Sequence, residues 1–249
     1  MNSVANTCGL SEESLKSSLL TDGYYSVRRY YVDLFWLRTI QRVGHGCRVL
    51  DLGGKKDNKR GYFHIEKVRP DLAVQYVNID EKTNPDFLCS VYDLKIGSES
   101  YDAVMLSEVL EHLDQPEKAL SEAFRVLKPG GNLLICTPFL FHKHADPDDF
   151  GRYTDSWYRV KLSRLGFTSV HVENQGRLWS VLAMYCKLLS GIFRGLDSKP
   201  WKKKIACRLV NIGFRALWKI EGSGFLDDNG IVKGATTGYG VVAVKGIVE

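Results

Sequence analysis

The amino-acid sequence predicts an α/β fold: a doubly wound, seven-stranded sheet with helices on both faces and a helical insertion before the final strand. Short, continuous apolar runs, such as residues 103–106, are typical of strands that are covered on both faces. Residues 101–138 predict a strand, an amphipathic helix and a second strand, which together form one right-handed βαβ unit. Polar residues and glycines follow the strands, where an open parallel sheet holds its ligand.

The strands are predicted from apolar, β-branched runs that end in turn residues. Along the chain they cover residues 48–52, 74–79, 87–90, 103–106, a segment that ends at Pro138, 168–173 and 239–245. An aromatic helix is predicted over residues 24–43, and further helices over 156–165, 178–193 and 201–220.

The helix inside the βαβ unit has recognisable start and stop signals. Asp114 is expected to cap its N-terminus, with Glu117 three residues later completing a capping box. Apolar residues then recur at helical spacing from Ala119 onwards, and a turn over residues 128–131, Lys-Pro-Gly-Gly, is expected to end the helix.

The domain organisation follows from these elements. Residues 1–45 are predicted to form an N-terminal segment. Its first part, over residues 1–20, is a flexible, serine-rich lead, and the aromatic helix follows. Residues 46–249 form the main domain, with the insertion at about 176–235.

The composition is that of an ordinary globular protein, with 44% hydrophobic and 25% charged residues among 249. The six cysteines are scattered and form no C-x-x-C pair, which indicates neither a zinc site nor a disulfide framework. The N-terminus lacks the pattern of a secretory signal, and no apolar run reaches the roughly 18 residues of a membrane span. A reducing, cytoplasmic compartment is therefore expected.

The net charge of +5 is unevenly distributed. Residues 176–220 contain ten Lys or Arg residues and one acid, Asp197, and so carry +9. In the helix over 201–220 the basic residues share one face and an apolar stripe adjoins them. Such a helix could lie on the inner face of an anionic membrane, pack on its own domain, or form a homodimer. Nucleic-acid binding is not expected, since no recognition module accompanies the charge.

The first strands end in residues that suit a nucleoside. Gly53 and Gly54 directly follow the first strand, and Asp80 ends the second, where a carboxylate can accept both hydroxyls of a ribose. Taken alone, these residues fit a nicotinamide cofactor nearly as well. The first loop lacks a completed G-x-G-x-x-G, however, which argues against a dinucleotide site.

The segments VLDLGG, LSEVLEHL and RVLKPGG, with acids at Asp80 and Asp93, resemble class I S-adenosylmethionine-dependent methyltransferases, most closely the type-11 group. The resemblance covers residues 48–173, and residues 239–245 resemble the final, antiparallel strand of that Rossmann-like sheet.

The resemblance implies that S-adenosylmethionine is the cofactor and S-adenosylhomocysteine the product. It places the methionine part against Asp51 and Gly53, the ribose against Asp80, and the adenine against Asp93 and Leu94. The full set of cofactor-binding residues is expected to be Asp51, Gly53, Gly54, Asp80, Asp93, Leu94, Ser107 and Glu108. The family usually has a further glycine near Lys55, and a lysine-rich loop here leaves a catalytically inactive scaffold protein as an alternative.

The expected reaction is O-methylation of a small-molecule, glycan or lipid-linked saccharide acceptor. Histidine is the usual base near neutral pH, so His142 and His144 are the first candidates and His112 the next. Residues 139–153 also resemble a type-11 subgroup associated with glycan and cell-envelope biosynthesis. His142, His144 and Asp146 could instead ligate a divalent metal, but their spacing does not predict a metal site.

Overall fold

The computed structural model describes residues 9–57, 59–144 and 148–247. Its strands are β1 (Arg48–Leu52), β2 (Ala73–Asn78), β3 (Phe87–Leu88), β4 (Tyr101–Ser107), β5 (Leu127–Pro138), β6 (Phe167–Asn174) and β7 (Gly238–Lys245). Its α-helices are α1 (Glu12–Thr21), α2 (Val27–Thr39), α3 (Ile65–Val68), α4 (Pro116–Val126), α5 (Asp155–Leu165), α6 (Leu178–Gly195), α7 (Pro200–Ser223) and α8 (Gly230–Gly234).

All seven strands form one sheet in the order β3-β2-β1-β4-β5-β7-β6. The first five strands pair in parallel, and β7 runs antiparallel to both of its neighbours, β5 and β6. The predicted fold class, including its antiparallel last strand, is confirmed. The other six strands all end at one edge, here called the carboxyl edge. Strand β7 begins there, since Gly238 pairs with Pro138.

Helices cover both faces of the sheet. On one face α4 and α5 bury residues such as Leu120 and Leu162 against β4, β5 and β7. On the other face α2 and α3 bury residues such as Phe35 and Val68. The central strands β4 and β7 are almost wholly buried and apolar on both faces, because neither of their faces meets water. This explains why continuous apolar runs located them correctly in the sequence.

The predicted flexible lead over residues 1–20 is wrong for its second half, whereas residues 1–8 lie outside the described ranges. Residues Glu12–Thr21 form α1, which Ser11 and Ser14 cap reciprocally. Leu15 and Leu19 are fully buried against α2 and the insertion. Serine content suggested flexibility, but here two serines cap the helix and two leucines, four residues apart, attach it to the domain.

The boundaries of α4 also differ from the prediction. The helix begins at Pro116 after Gln115, whose side chain makes no capping hydrogen bond. Asp114 instead accepts a hydrogen bond of 2.7 Å from the hydroxyl of Tyr92. The predicted capping box is therefore wrong, because Tyr92 engages the Asp114 carboxylate and proline at the first helical position sets the start.

The expected Lys-Pro-Gly-Gly turn is part of β5. The chain leaves α4 at Val126 and pairs with β4 from Leu127. Between the pairs Tyr101 with Leu127 and Ala103 with Asn132, one residue of β4 lies opposite four residues of β5. The segment is thus a bulge in the strand, where Gly130 takes a φ of +77°.

The predicted helical insertion is present. Helices α6 and α7 pack on each other, and α8 leads back to β7. The two ends of the insertion lie side by side at the carboxyl edge, because the Gln175 N–H donates to Gly238 and the Thr237 N–H donates to Gln175. Among the described helices, none is both long and apolar enough to cross a membrane.

Candidate functional site

The loop after β1 is fixed at the carboxyl edge by two glycines and an asparagine. Gly53 has a φ of +78°, which residues with a side chain rarely adopt, and a Cβ there would lie 2.8 Å from Cγ2 of Val109. The amide of Asn78, at the end of β2, donates to the carbonyls of Gly53 and Gly54 at 3.1 and 3.0 Å. The hydrogen bonds of Asn78 therefore hold the end of β2 against the loop that follows β1, and the two form one continuous surface.

Asp51 lies in β1 against this loop. A Cβ on Gly54 would come within 2.3 Å of the Asp51 carboxylate, so the close packing requires glycine. The Oδ1 atom is buried and has no hydrogen-bond partner among the described residues. Burial raises the pKa of Asp51 to about 7, although the charge of Lys59 opposes the rise. A carboxylate with a free, buried oxygen is suited to receive a cationic group of a ligand.

Asp80 follows β2 and is exposed at the same edge. Its Oδ1 accepts a 3.0 Å hydrogen bond from the backbone N–H of Lys82, and its own N–H donates to Asn78. Only Oδ1 has a partner in these bonds, so Oδ2 remains free to bind a hydroxyl group. The same Asn78 therefore positions both Asp80 and the glycine loop.

The lysines of the first loop are largely engaged within the protein. Lys56 pairs with Asp86 at 2.9 Å. Lys59 contacts Glu66 at 2.5 Å and the hydroxyl of Tyr76 at 2.6 Å. These pairs draw two of the three basic groups towards β2 and α3. The lysine-rich loop, which favoured an inactive scaffold in the sequence, is thus accommodated by local ion pairs.

Asp93 and Leu94, the predicted adenine ligands, make contacts within the protein. The Asp93 carboxylate is exposed and pairs with Lys95 at 2.5 Å. The Leu94 N–H donates to Glu122 at 2.8 Å, and its carbonyl accepts from Arg125. Because Glu122 and Arg125 lie in the last turns of α4, Leu94 has already moved away from the carboxyl edge. These contacts favour other residues for the adenine, and the roles of Asp93 and Leu94 stay predictions.

Ser90 is a residue near that edge which sequence reasoning missed. It comes two residues after the end of β3, where its Oγ accepts from the N–H of Tyr92 at 3.2 Å. Tyr92 in turn reaches Asp114, just before the start of α4. The signal was available in the sequence, because a residue that directly follows a short strand lies closer to the edge than one five residues later.

Ser107 and Glu108 end β4 under the N-terminal helix. The indole of Trp36 donates to the Ser107 hydroxyl at 3.0 Å. Glu108 takes a φ of +56° and accepts two hydrogen bonds from Arg28, at 3.1 and 2.5 Å. Arg28 is only 3% exposed and also donates to Gln175 at the end of β6. Helix α2 thus covers this part of the edge, and Glu108 is held by an arginine that sequence reasoning did not identify.

Glu111 is a fully buried carboxyl group without a hydrogen-bond partner among the described residues. Its side chain is 0% exposed, and neither oxygen has a hydrogen bond among the described residues. Burial, followed by the nearby charge of Glu108, raises its pKa well above the usual range. The neighbouring cations are already engaged, Arg28 by Glu108 and Arg152 by Asp149. An uncompensated buried carboxyl is costly, which indicates a functional role.

Two of the predicted histidines lie beside Glu111. Nε2 of His112 is 3.8 Å from Oε1 of Glu111, and the rings of His112 and His144 are 5.1 Å apart. One ligand atom from each of Glu111, His112 and His144 lies within 4.8 Å of the others. Burial lowers the pKa of His144.

His142 does not join this group. Its exposed ring lies against Phe141, with 4.2 Å between ring centroids. Asp146, named with His142 and His144 as an alternative metal ligand, lies outside the described residues. The residues whose ligand atoms lie together thus come from two segments and differ from the single-loop alternative, of which only His144 is shared.

The chain is similar to known methyltransferases in sequence and in fold. A methyltransferase-domain family model matches residues 63–135. Demethylmenaquinone methyltransferase from Renibacterium salmoninarum is 31% identical over 96 residues, which cover 36% of this chain and 40% of that protein. Ubiquinone biosynthesis O-methyltransferase from Xanthomonas oryzae pv. oryzae is 32% identical over 103 residues, which cover 37% of this chain and 43% of that protein. The chain thus spans about two fifths of the length of these relatives.

Solved structures share the fold. A SAM-dependent methyltransferase from Archaeoglobus fulgidus superposes with a TM-score of 0.54 at 20% identity, covering 87% of this chain and 94% of that chain. At this identity the likeness is evidence for the fold alone.

Proposed function

We propose that this chain, which belongs to the type-11 group of class I methyltransferases, transfers a methyl group from S-adenosylmethionine to a hydroxyl group of a small-molecule or lipid-linked acceptor. The observation that carries the proposal is the surface formed by Asp51, the glycine loop and Asp80. It offers a free buried carboxylate oxygen and an exposed carboxylate on adjacent strand ends.

Each part of the cofactor has a complementary group on this surface. The ammonium of the methionine part would pair with Asp51, whose Oδ1 has no protein partner among the described residues. The ribose hydroxyls would donate to Asp80, and the adenine would lie near Ser90 at the end of β3. The backbone at Gly53 and Ser107 would border the methionine part. This assignment keeps the sequence-based roles of Asp51, Gly53, Asp80 and Ser107 and replaces those of Asp93 and Leu94.

The reaction requires alignment more than covalent catalysis. S-adenosylmethionine supplies an electrophilic methyl group on a sulfonium, and the displacement is in line. The protein must hold the acceptor oxygen opposite the sulfur and accommodate its proton. Alignment of this kind can contribute about 7–11 kcal/mol to lowering the barrier. Glu111, His112 and His144 are the polar groups that can manage the acceptor's proton, whereas His142 is turned towards solvent and Phe141.

The insertion supports a lipid-borne acceptor. The apolar stripe of α7 is exposed, with Ile205, Leu209 and Ile212 each more than half accessible, so it does not pack on the domain. Exposed basic residues, including Lys204, Arg208 and Arg215, flank the stripe. A helix with both features is suited to an anionic membrane surface. Because the insertion begins and ends at the carboxyl edge, an acceptor carried by that surface would be presented to the site.

The names of the two relatives refer to demethylmenaquinone and ubiquinone biosynthesis, not to glycans. They favour a lipophilic quinone-type acceptor over the glycan that residues 139–153 suggested, and the name of the second relative favours transfer to a hydroxyl oxygen.

Calorimetric titration with S-adenosylhomocysteine tests the cofactor assignment. We expect binding to the unmodified protein and a loss of at least about tenfold in affinity for Asp80→Ala, since a ribose hydroxyl bonded to a carboxylate contributes about 1.5–3 kcal/mol. Asp228→Ala, which removes an exposed acid in the insertion, is the matched control and should bind normally. Undetectable binding at millimolar ligand would overturn the proposal.

A further inference from the structure

We propose that Glu111, His112 and His144 form a binding site for one divalent transition-metal ion at the carboxyl edge. The three side chains come from two segments, the turn after β4 and the segment after β5. Each offers one ligand atom, and these three atoms lie within 4.8 Å of one another. Two ligands at about 2.1 Å from a common ion stand roughly 3.0–3.4 Å apart. The observed 3.8 Å between Nε2 of His112 and Oε1 of Glu111 needs to shorten by about 0.4–0.8 Å to reach this range.

The state of Glu111 is the independent reason to place a cation here. Its carboxyl group is completely buried, and both oxygens lack a hydrogen bond within the described part of the chain. The charged groups around it are already paired, Arg28 with Glu108 and Arg152 with Asp149. An ion bound between Glu111 and the histidines would satisfy this carboxylate without disturbing either pair.

Both histidines are oriented as metal ligands usually are. Nδ1 of His112 is 2.5 Å from the carbonyl of Asp148, which assigns its proton to Nδ1 and leaves the lone pair on Nε2. Nδ1 of His144 lies 3.4 Å from the carbonyl of His142 and 3.5 Å from Oδ2 of Asp149. A ligating histidine typically gives its other N–H to such a carbonyl or carboxylate, which fixes the ring and its tautomer.

The ligand set indicates the class of ion. Two imidazole nitrogens and one carboxylate favour Mn²⁺, Fe²⁺, Co²⁺ or Zn²⁺ over Mg²⁺ and Ca²⁺, which prefer oxygen ligands. Three protein ligands also leave coordination positions open, as in catalytic rather than structural sites.

The position of the ion would give it a role in the methyl transfer, and this part of the inference rests on the proposed function. An acceptor hydroxyl in an open coordination position would have a lowered pKa and release its proton to water. The resulting oxygen would form the new bond to the methyl carbon as the carbon–sulfur bond breaks, and S-adenosylhomocysteine would leave as a neutral sulfide. His112 and His144 would then act as ligands and not as bases.

The site is tested by titrating chelator-treated protein with Co²⁺, followed by visible absorption and calorimetry. We expect one ion per chain and an absorption spectrum typical of nitrogen and oxygen ligands. His144→Gln and Glu111→Gln should weaken binding by at least about tenfold, by comparison with the 10–100-fold cost of removing even the groups that orient a ligand. His142→Gln, two residues from His144 but outside the cluster, is the matched control and should bind as tightly as the unmodified protein.

Thermal unfolding separates a cation site from a merely structural carboxyl. Without metal, Glu111→Gln should have a higher Tm than the unmodified protein, because it removes a buried, unpaired carboxyl group next to Glu108. Added Co²⁺ should raise the Tm of the unmodified protein by more than it raises the Tm of Glu111→Gln at the same concentration.

Two results would overturn the inference: no stoichiometric binding at millimolar Co²⁺, or equal affinity in the control and in the cluster variants. S-adenosylhomocysteine binding, measured on the same metal-free samples, reports on the cofactor site separately. Cofactor binding without cation binding would refute the ion alone, and the reverse would refute the proposed function alone.

Discussion

Arg28 and Glu108 form a buried, two-fold hydrogen-bonded ion pair that joins helix α2 to the end of β4. Nε donates to Oε2 at 3.1 Å and Nη2 to Oε1 at 2.5 Å, with side-chain exposures of 4% for Arg28 and 15% for Glu108. The pair is separated by 80 residues in the sequence. Together with the hydrogen bond from Trp36 to Ser107, it holds the N-terminal segment over the candidate site.

Breaking this pair from one side should be strongly destabilising. Arg28→Met is expected to lower the free energy of unfolding by about 3–5 kcal/mol, because it leaves the Glu108 carboxylate without its partner. Urea unfolding measures the change. Adding Glu108→Gln to Arg28→Met should restore part of the loss, and strictly additive effects would show that the two groups are not coupled. Arg38→Met, which removes an exposed pair with Glu173, should cost less than about 1 kcal/mol.

The affinity for S-adenosylhomocysteine should depend on pH through Asp51. Its pKa is raised by burial to about 7, so the unliganded carboxyl is half protonated at that pH. Pairing with the ligand's ammonium requires the ionised form. The affinity for S-adenosylhomocysteine should therefore be highest above about pH 8. Well below pH 7 it should decrease by about tenfold for each pH unit.

Calorimetry between about pH 5.5 and 8.5 measures this profile on both sides of the Asp51 pKa. Asp51→Asn is the control, expected to bind more weakly but with that pH dependence removed. If the unmodified protein and Asp51→Asn show parallel profiles, Asp51 does not receive the ammonium.

The close packing of Gly54 on Asp51 gives a sharper test of the loop. In Gly54→Ala the new Cβ would come within 2.3 Å of the carboxylate, so the loop or Asp51 must move by about an ångström. A displacement of that size can cost about 100-fold in a preorganised site, and S-adenosylhomocysteine affinity should fall accordingly.

Gly130→Ala is the matched control for this substitution. Gly130 has a φ of +77°, and an added methyl group would meet open space, since no heavy atom lies within 4 Å of the Cβ position. The change should cost about 1–2 kcal/mol of stability through backbone strain and leave ligand affinity unchanged. Equal affinity losses in the two variants would show that the Gly54 effect is general destabilisation.

The sequence was sufficient for the sheet but only for part of the site. Strands buried on both faces leave apolar runs, and groups at their ends, such as Asp51 and Asp80, follow from those runs directly. Arg28 was missed because a basic residue beside tyrosines in a helix gives no sign of a partner 80 residues away. Helical spacing was an available signal, since Arg28, Val32 and Phe35 share one buried face.

Loop contacts account for the other errors. Asp114 has the residue type of an N-cap, but the Tyr92 hydroxyl holds its carboxylate. The adenine roles of Asp93 and Leu94 are implied by the family resemblance, and the local sequence gives no sign that the backbone of Leu94 bonds to α4. Glu111 was interpreted only as part of a motif because its burial depends on segments that the local sequence does not specify.

Membrane binding by the insertion is the remaining prediction. The unmodified protein should co-float with liposomes that contain anionic lipid and not with neutral liposomes, because α7 presents exposed Ile205, Leu209 and Ile212 beside its basic residues. Basic residues near such a surface contribute about 1 kcal/mol each. Arg208→Glu with Arg215→Glu should therefore reduce co-flotation at least tenfold, and Leu209→Asp should weaken it by removing apolar contact.

Arg42→Glu with Arg60→Glu is the matched control. It changes the net charge equally at exposed positions outside the insertion and should co-float normally. If both double variants lose binding to the same extent, net charge and not α7 is responsible, and the membrane assignment of the insertion is wrong.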